Sequence, residues 1–168
     1  MQHSPVLDVG LATPADVPGI LDVQEENLPE NGGSLSARFT PEWFAQAIAN
    51  ETLIVARCDD HIAGYVAFTS RDAQSHVPII QAMLRAEPHP DAYVHGPICV
   101  AKADRRRGVA ALLFAAQREV MDHAAVCAFI RQDNEASRAA HRRMGMRETA
   151  LFEHDGVTYV LVEASATT

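Results

Sequence analysis

The residues best suited to chemistry lie in Arg105-Arg106-Arg107-Gly108-Val109-Ala110. Gly108 lacks a Cβ, so its backbone can take a positive φ and a ligand can come close. Ala110 keeps that approach open one residue later. Val109, Leu112, Leu113, Ala116 and Val120 then fall at i, i+3, i+4, i+7 and i+11, the spacing of one helical face. The first N–H groups of such a helix have no partner within it and lie at its positive end. With three guanidiniums beside them they make an anion site that suits a phosphate better than a carboxylate. Taken alone, the turn also reads as a solvated basic helix start. It is not a Walker loop, since no Gly-Lys-Ser/Thr follows, and one glycine stands where a dinucleotide fingerprint needs three.

A second constellation is Asn134, Ser137 and His141, spaced i, i+3 and i+7 along a helix expected over residues 135–144. Ala136, Ala139, Ala140 and Met144 form its apolar side, so the polar row is expected opposite the packing face, or as an N-cap with a solvated edge. Tyr93 and His95 alternate along an expected strand and share one side of it. Glu25 and Glu26 close the first expected helix. Cys58, Cys99 and Cys127 are odd in number and sit in apolar, strand-like segments, so reduced thiols are expected. No base adjoins Cys99 to make it a nucleophile. His89, Asp91 and His95 are metal-ligand types at a spacing that matches no established site, and no metal is expected.

The elements that position these residues follow from periodicity and punctuation. A strand over residues 6–12 leads through Thr13-Pro14 into a helix to about residue 27, with Val17, Ile20, Leu21 and Leu28 as its buried stripe. Residues 28–38 read as a loop, and Thr40-Pro41 opens a helix over residues 41–49. Strands over residues 52–58 and 62–70 form a hairpin in which Gly64 marks a bulge or a close backbone approach. Residues 71–91 carry a short helical pattern at Val77, Ile80, Met83 and Leu84. A strand over residues 97–101 precedes the basic turn, and another spans residues 126–131. Gly145 stops the helix after Asn134. Asp155-Gly156 joins the last two strands, and residues 164–168 are expected to fray. The order β, α, α, β, β, α, β, α, β, α, β, β implies an α/β protein with a mixed central sheet and helices on both faces.

Composition narrows the functions. The 168 residues are expected to form a single domain, 1–168, with an ordinary 48% hydrophobic and 21% charged content. A formal charge of −8 argues against nucleic acid and sets the arginine cluster apart as a positive island suited to a compact anion. No apolar run reaches membrane-spanning length and no secretory leader is evident, so a cytoplasmic protein without a membrane partner is expected.

Against this background the chain resembles the GCN5-related N-acetyltransferase (GNAT) superfamily. Its signature (Arg/Gln)-x-x-Gly-x-(Gly/Ala), between the fourth strand and third helix, is matched by Arg105, Gly108 and Ala110, and the element order agrees over nearly the whole chain. The resemblance implies acetyl-CoA as co-substrate, its diphosphate held by the turn Arg105, Arg106, Arg107, Gly108, Val109 and Ala110. It implies that amides around Ile98, Cys99 and Val100 receive the thioester carbonyl and the pantetheine arm, and that Asn134 and Ser137 line that arm. The family's Tyr beside the thioester sulfur is replaced here by His141, and the aromatic after Gly145 by Met146. His141 is therefore the candidate proton donor to the leaving thiolate, with an unaided departure as the alternative. Acyl transfer also needs a base for the amine, for which His95 and then Glu26 are the candidates. Arg105–Arg107 with Arg138, Arg142 and Arg143 supply cations for the adenosine phosphates. Residues 28–38 and 71–91 flank the expected acceptor entrance. The expected acceptor is a small-molecule amine, with a protein N-terminus or lysine and a non-catalytic acyl-CoA sensor as the alternatives; a homodimer is the oligomer considered.

Overall fold

The computed structural model of the chain describes residues 6–167. The expected order is found: β1 (Leu7–Leu11), α1 (Val17–Asn27), α2 (Pro41–Ala49), β2 (Leu53–Cys58), β3 (His61–Thr69), α3 (Pro78–Arg85), β4 (Tyr93–Val100), α4 (Val109–Val120), β5 (Val126–Arg131), α5 (Glu135–Arg143), β6 (Arg147–His154) and β7 (Val157–Ala164). The strands form a mixed sheet in the order β1-β2-β3-β4-β5-β7-β6. The β4–β5 pair is parallel, while β1–β2, β2–β3, β5–β7 and β6–β7 are antiparallel. The described residues fall into two compact units, one running to Ala67 and including Pro97–Gln117, the other comprising Phe68–Gly96 and the chain from Arg118 on.

In the first unit, polar caps set the helix starts. The Thr40 hydroxyl accepts the Trp43 N–H at 3.1 Å, and Pro41 needs no N–H in the first turn of α2. Residues Pro14–Asp16 make a 3-10 turn into α1. There the buried Asp16 carboxylate accepts the Thr13 N–H at 2.7 Å and Arg57 Nη2 at 2.6 Å. Ile20 and Val23 of α1 and Phe44 and Ala47 of α2 pack on Leu53, Val55, Tyr65, Ala67 and Cys99. The expected α1 stripe is shifted: Val23 and Gln24 are buried where Val17 and Leu21 are only half-buried. Gln24 tolerates burial because its amide exchanges two hydrogen bonds with the Phe39 backbone, at 2.8 and 3.0 Å.

On the opposite sheet face, Gly64 lets α4 and β4 approach β3. A Cβ there would stand 2.8 Å from the Cys99 carbonyl oxygen and 3.2 Å from Val109 Cγ1 and Leu113 Cδ1. The bulge also exists, since Ala56 faces Gly64 while Arg57 faces Ile62. The α4 stripe needs correction. Val109, Leu113, Phe114 and Gln117 are buried, whereas Leu112 and Val120 are each 45% exposed. Burying the larger Phe114 ring turns the helix by about one residue relative to the aliphatic pattern. Residues 28–35 are wound rather than loose: Pro29–Asn31 form a 3-10 turn, and Gly33 and Leu35 donate N–H groups back to Leu28 and Asn27.

In the second unit, Ile80 and Met83 of α3 pack on Val94, Cys127 and Leu161, with Phe129 and Phe152 at the margin. The other face of β5 and β7 buries Val126, Ala128, Ile130, Val160 and Val162. Asp155 and Gly156 take φ of 48° and 76°, the conformation expected of the hairpin turn. The tail does not fray as expected up to Thr167. Arg118 Nη2 donates to the Ser165 carbonyl at 2.6 Å, and the Thr167 N–H donates to the His123 carbonyl at 3.0 Å. Thr168 lies outside the described residues. Among the described residues no helix is long and apolar enough to cross a membrane.

Candidate functional site

The anion turn is built in the first unit by two left-handed residues ahead of α4. Arg106 takes φ 63° and Gly108 φ 76°, so the chain winds up on itself before Val109 starts the helix. The first helical bond runs from Leu112 N–H to the Gly108 carbonyl at 3.1 Å. The N–H groups of Val109, Ala110 and Ala111 thus precede the helical ladder. Residues 105–108 are exposed, and a Cβ on Gly108 would meet no heavy atom within 4 Å. Open space over helix-start amides is what a diphosphate requires.

The three arginines are not equivalent. Arg105 Nη2 donates to Asn27 Oδ1 at 3.2 Å, at the rim of the turn. Arg106 is exposed. Arg107, expected as a phosphate cation, is instead drawn onto buried Asp104, Nη1 to Oδ1 at 2.6 Å, which leaves its backbone N–H for an anion. Asn27 also donates to the carbonyls of Val23 at 2.8 Å and Val100 at 3.2 Å, tying the end of α1 to the end of β4. Glu26, a candidate base in the sequence, accepts the Lys102 N–H at 2.8 Å and so anchors the start of the turn. Glu25 is paired with Arg38 at 2.6 Å. Neither Asn27 nor Asp104 belongs to a motif, and only their positions in the fold disclose them.

Cys99 lies buried on β4 against Tyr65, between half-buried Ile98 and Val100. Burial pushes its thiol up to about 11, which agrees with the expectation that it is no nucleophile.

The second unit brings His95 and His141 together. They are 4% and 6% exposed, and their rings meet edge to face with centroids 5.5 Å apart. His141 Nδ1 lies 2.7 Å from the Ser137 carbonyl. A carbonyl only accepts, so Nδ1 carries the proton and Nε2 keeps its lone pair. Burial lowers the His141 pKa, the carbonyl contact opposing it only in part, and the ring is neutral at neutral pH. Tyr93, on the same strand as His95, is 38% exposed.

The α5 helix therefore faces the opposite way to the expectation. His141 points inward, Ala136 is exposed, and Ala139, Ala140 and Met144 are half-buried. Alanine offers little apolar area to decide a helix face, and the arginines hold the outer side. Arg138 makes two bonds to Glu148, at 2.8 and 3.0 Å, and Arg142 a third at 3.0 Å. These two expected phosphate cations are thus neutralised on the surface, while Arg143 is exposed. Asn134 Oδ1 accepts the Ser137 N–H at 3.1 Å as the N-cap of α5.

Comparison with known proteins agrees with this construction. The Acetyltransferase (GNAT) family matches residues 20–146. No curated protein matches the chain in sequence. An N-acetyltransferase from Staphylococcus aureus superposes with a TM-score of 0.71 at 17% identity, covering 96% of this chain and 99% of that one. YncA from Salmonella typhimurium, solved with its cofactor acetyl-CoA, gives 0.68 at 15%, covering 97% and 95%. Ribosomal-protein-alanine N-acetyltransferase from Brucella melitensis gives 0.67 at 19%, covering 94% and 99%. At such identities the likeness speaks for the fold, a mixed α/β sheet shared with acetyltransferases. With the Arg105–Ala110 turn in place and the family match spanning residues 20–146, the chain belongs to the GNAT family of acetyltransferases, whose acyl donor is acetyl-CoA.

Proposed function

We propose that the chain, as one catalytic domain in the cytoplasm, transfers an acetyl group from acetyl-CoA to a primary amine of a small molecule, by direct attack with both bound. The observation that carries this reading is the open anion turn, where Gly108 at φ 76° delivers the first amides of α4 to solvent. In this assignment the diphosphate is held by the amides from Arg106 to Ala110 and by the Arg105 and Arg106 side chains. The amides of Ile98, Cys99 and Val100 receive the thioester carbonyl and the arm, with Asn134 and Ser137 along it. The donor supplies an activated acyl group and a thiolate leaving group.

The remaining work belongs to the protein. An attacking amine must lose its proton, and the neutral His141 ring offers Nε2 as an acceptor. A proton held on that nitrogen, whose ordinary pKa is near ~6.5, passes readily to a thiolate whose conjugate acid is near ~8.5. His95, edge-on to His141, fixes the ring and shares this duty. Glu26 is left out of the proton pathway because it is spent on Lys102. Buried and unbridged Cys58, Cys99 and Cys127 suit a reducing compartment.

The test is thiol release from acetyl-CoA across a panel of small amines and N-terminal peptides. Turnover with a small amine, and no acetyl-enzyme before the amine is added, supports the proposal. Turnover with peptides alone moves the acceptor to protein N-termini; the Brucella neighbour is itself named for a ribosomal-protein alanine. Coenzyme binding without turnover on any acceptor overturns catalysis in favour of a sensor. His141→Ala should lower kcat by about 10²- to 10⁴-fold with coenzyme affinity retained.

A further inference from the structure

The β2–β3 hairpin and the loop before the anion turn bring together three metal-ligand types that acetyl transfer does not use. Cys58 ends β2, His61 begins β3 three residues later, and Asp104 closes the 3-10 turn Lys102–Asp104. One ligand atom from each lies within 4.8 Å of the other two. We propose that Cys58, His61 and Asp104 form a three-ligand site for a divalent transition metal, zinc first among them, whose remaining coordination is completed by water.

The donor set favours zinc. A thiolate, an imidazole and a carboxylate are its three ordinary ligands, and thiolate disfavours magnesium and calcium. The ligand atoms are already neighbours: His61 Nε2 lies 2.8 Å from Asp104 Oδ2, a hydrogen bond that an entering ion would replace. Its outer partners are also present. Asp60 Oδ1 lies 3.5 Å from His61 Nδ1, and Arg107 Nη1 holds Asp104 Oδ1 at 2.6 Å. Carboxylate behind a ligating histidine, and a donor behind a ligating carboxylate, are the supports metal ligands commonly have. Cys58 and Asp104 are 2% and 1% exposed, whereas the His61 side chain is 45% exposed, so access is from the His61 side. That side borders a cleft of about 280 Å³ lined by Asp16, Arg57, Asp59 and Asp60.

Binding requires the Cys58 thiol to give up its proton and His61 Nε2 to present a lone pair, so protons pass to solvent as the metal enters. The ion would take over the Asp104 Oδ2 contact now made by His61 and leave Oδ1 on Arg107. Metal occupancy therefore keeps the loop that leads into Gly108 tied to the β2–β3 hairpin through Asp104.

The 168-residue protein, stripped with chelator, is titrated with zinc chloride by calorimetry, and with cobalt(II) by absorption. The expected result is one equivalent of zinc and a thiolate-to-cobalt charge-transfer band. A hundredfold excess over Kd should raise the Tm by roughly 5–10 °C. Cys58→Ser should abolish the cobalt band, and His61→Ala should weaken zinc at least about tenfold. Since His61 is largely at the surface, its variant folds, and its circular dichroism should match the parent. No zinc heat, or zinc bound equally by parent and both variants, overturns the site. Neither outcome touches the acetyl-transfer reading, because both variants leave Asp104 and its bond to Arg107 in place.

Discussion

Gly108→Ala isolates the conformational demand of the anion turn, and Gly156→Ala is its matched control. Both glycines take φ 76°, and a Cβ on either meets no heavy atom within 4 Å. Neighbour clashes therefore drop out, leaving the cost of an L-residue in the left-handed region, about 1–2 kcal/mol. In the β6–β7 turn that cost falls on folding. For a chain of 168 residues it is a Tm loss of roughly 2–8 °C with coenzyme affinity untouched. At position 108 the exposed turn can rotate away from positive φ and carry the Val109 amide with it. A coenzyme must then restore the turn, and the same free energy appears as a Kd raised roughly 5- to 30-fold. Calorimetric titration with coenzyme A and thermal denaturation of both variants separate the two outcomes. Parent-like affinity in Gly108→Ala, or an equal affinity loss in Gly156→Ala, refutes the assignment of the diphosphate to this turn.

Gly64→Ala has no such freedom, because the new Cβ would lie 2.8 Å from the Cys99 backbone. An overpacking cost of about 1–3 kcal/mol should lower the Tm, and an unchanged Tm would mean that β3 and β4 yield locally. Burial tends to raise the Asp16 pKa, but hydrogen bonds from Arg57 and Thr13 outweigh it and hold the carboxyl below its ordinary range. The resulting stability is complete above the unfolded carboxylate value near ~4 and is lost as pH falls through the lower folded value. Asp16→Asn should therefore flatten the acid limb of a denaturation series. His141 is shifted down by burial, so the unfolded chain takes the proton first. Its contribution is complete above ~6.5 and declines as pH drops below that, a slope that His141→Gln should remove.

Punctuation in the sequence located most elements. Thr40-Pro41 gives α2 its observed start, and Asp155-Gly156 gives the last hairpin its turn, because each is a local preference of backbone and cap. Helix rotation was less legible. On α4, Val109 and Leu113 fill the space left by Gly64, and of the residues flanking Leu113 it is Phe114 that is buried and Leu112 that is exposed. On α5, a run of small alanines carries almost no directional information, so His141 turned inward unannounced. The phosphate turn was readable from Gly108 and its neighbours, but the division of labour among the arginines was not. It follows from Asp104 and Asn27, residues distant or silent in pattern. The Cys58-x-x-His61 spacing was visible in the chain, and only folding supplies Asp104 as its third member.

The wound segment after α1 has its own implication for acceptors. Gly33 sits so close to α1 that a Cβ would lie 2.0 Å from the Asn27 carbonyl oxygen, and Asn31 Nδ2 donates to the Glu25 carbonyl at 2.8 Å. A stretch knotted this tightly to its own helix acts as a casting, set when the chain folds and indifferent to what arrives later. Assigned to the acceptor side, it would sort amines by fit to a finished contour rather than by closing over them. Changing that selectivity then calls for altered side chains along residues 34–38, since lengthening the casting itself would break the mould at Gly33.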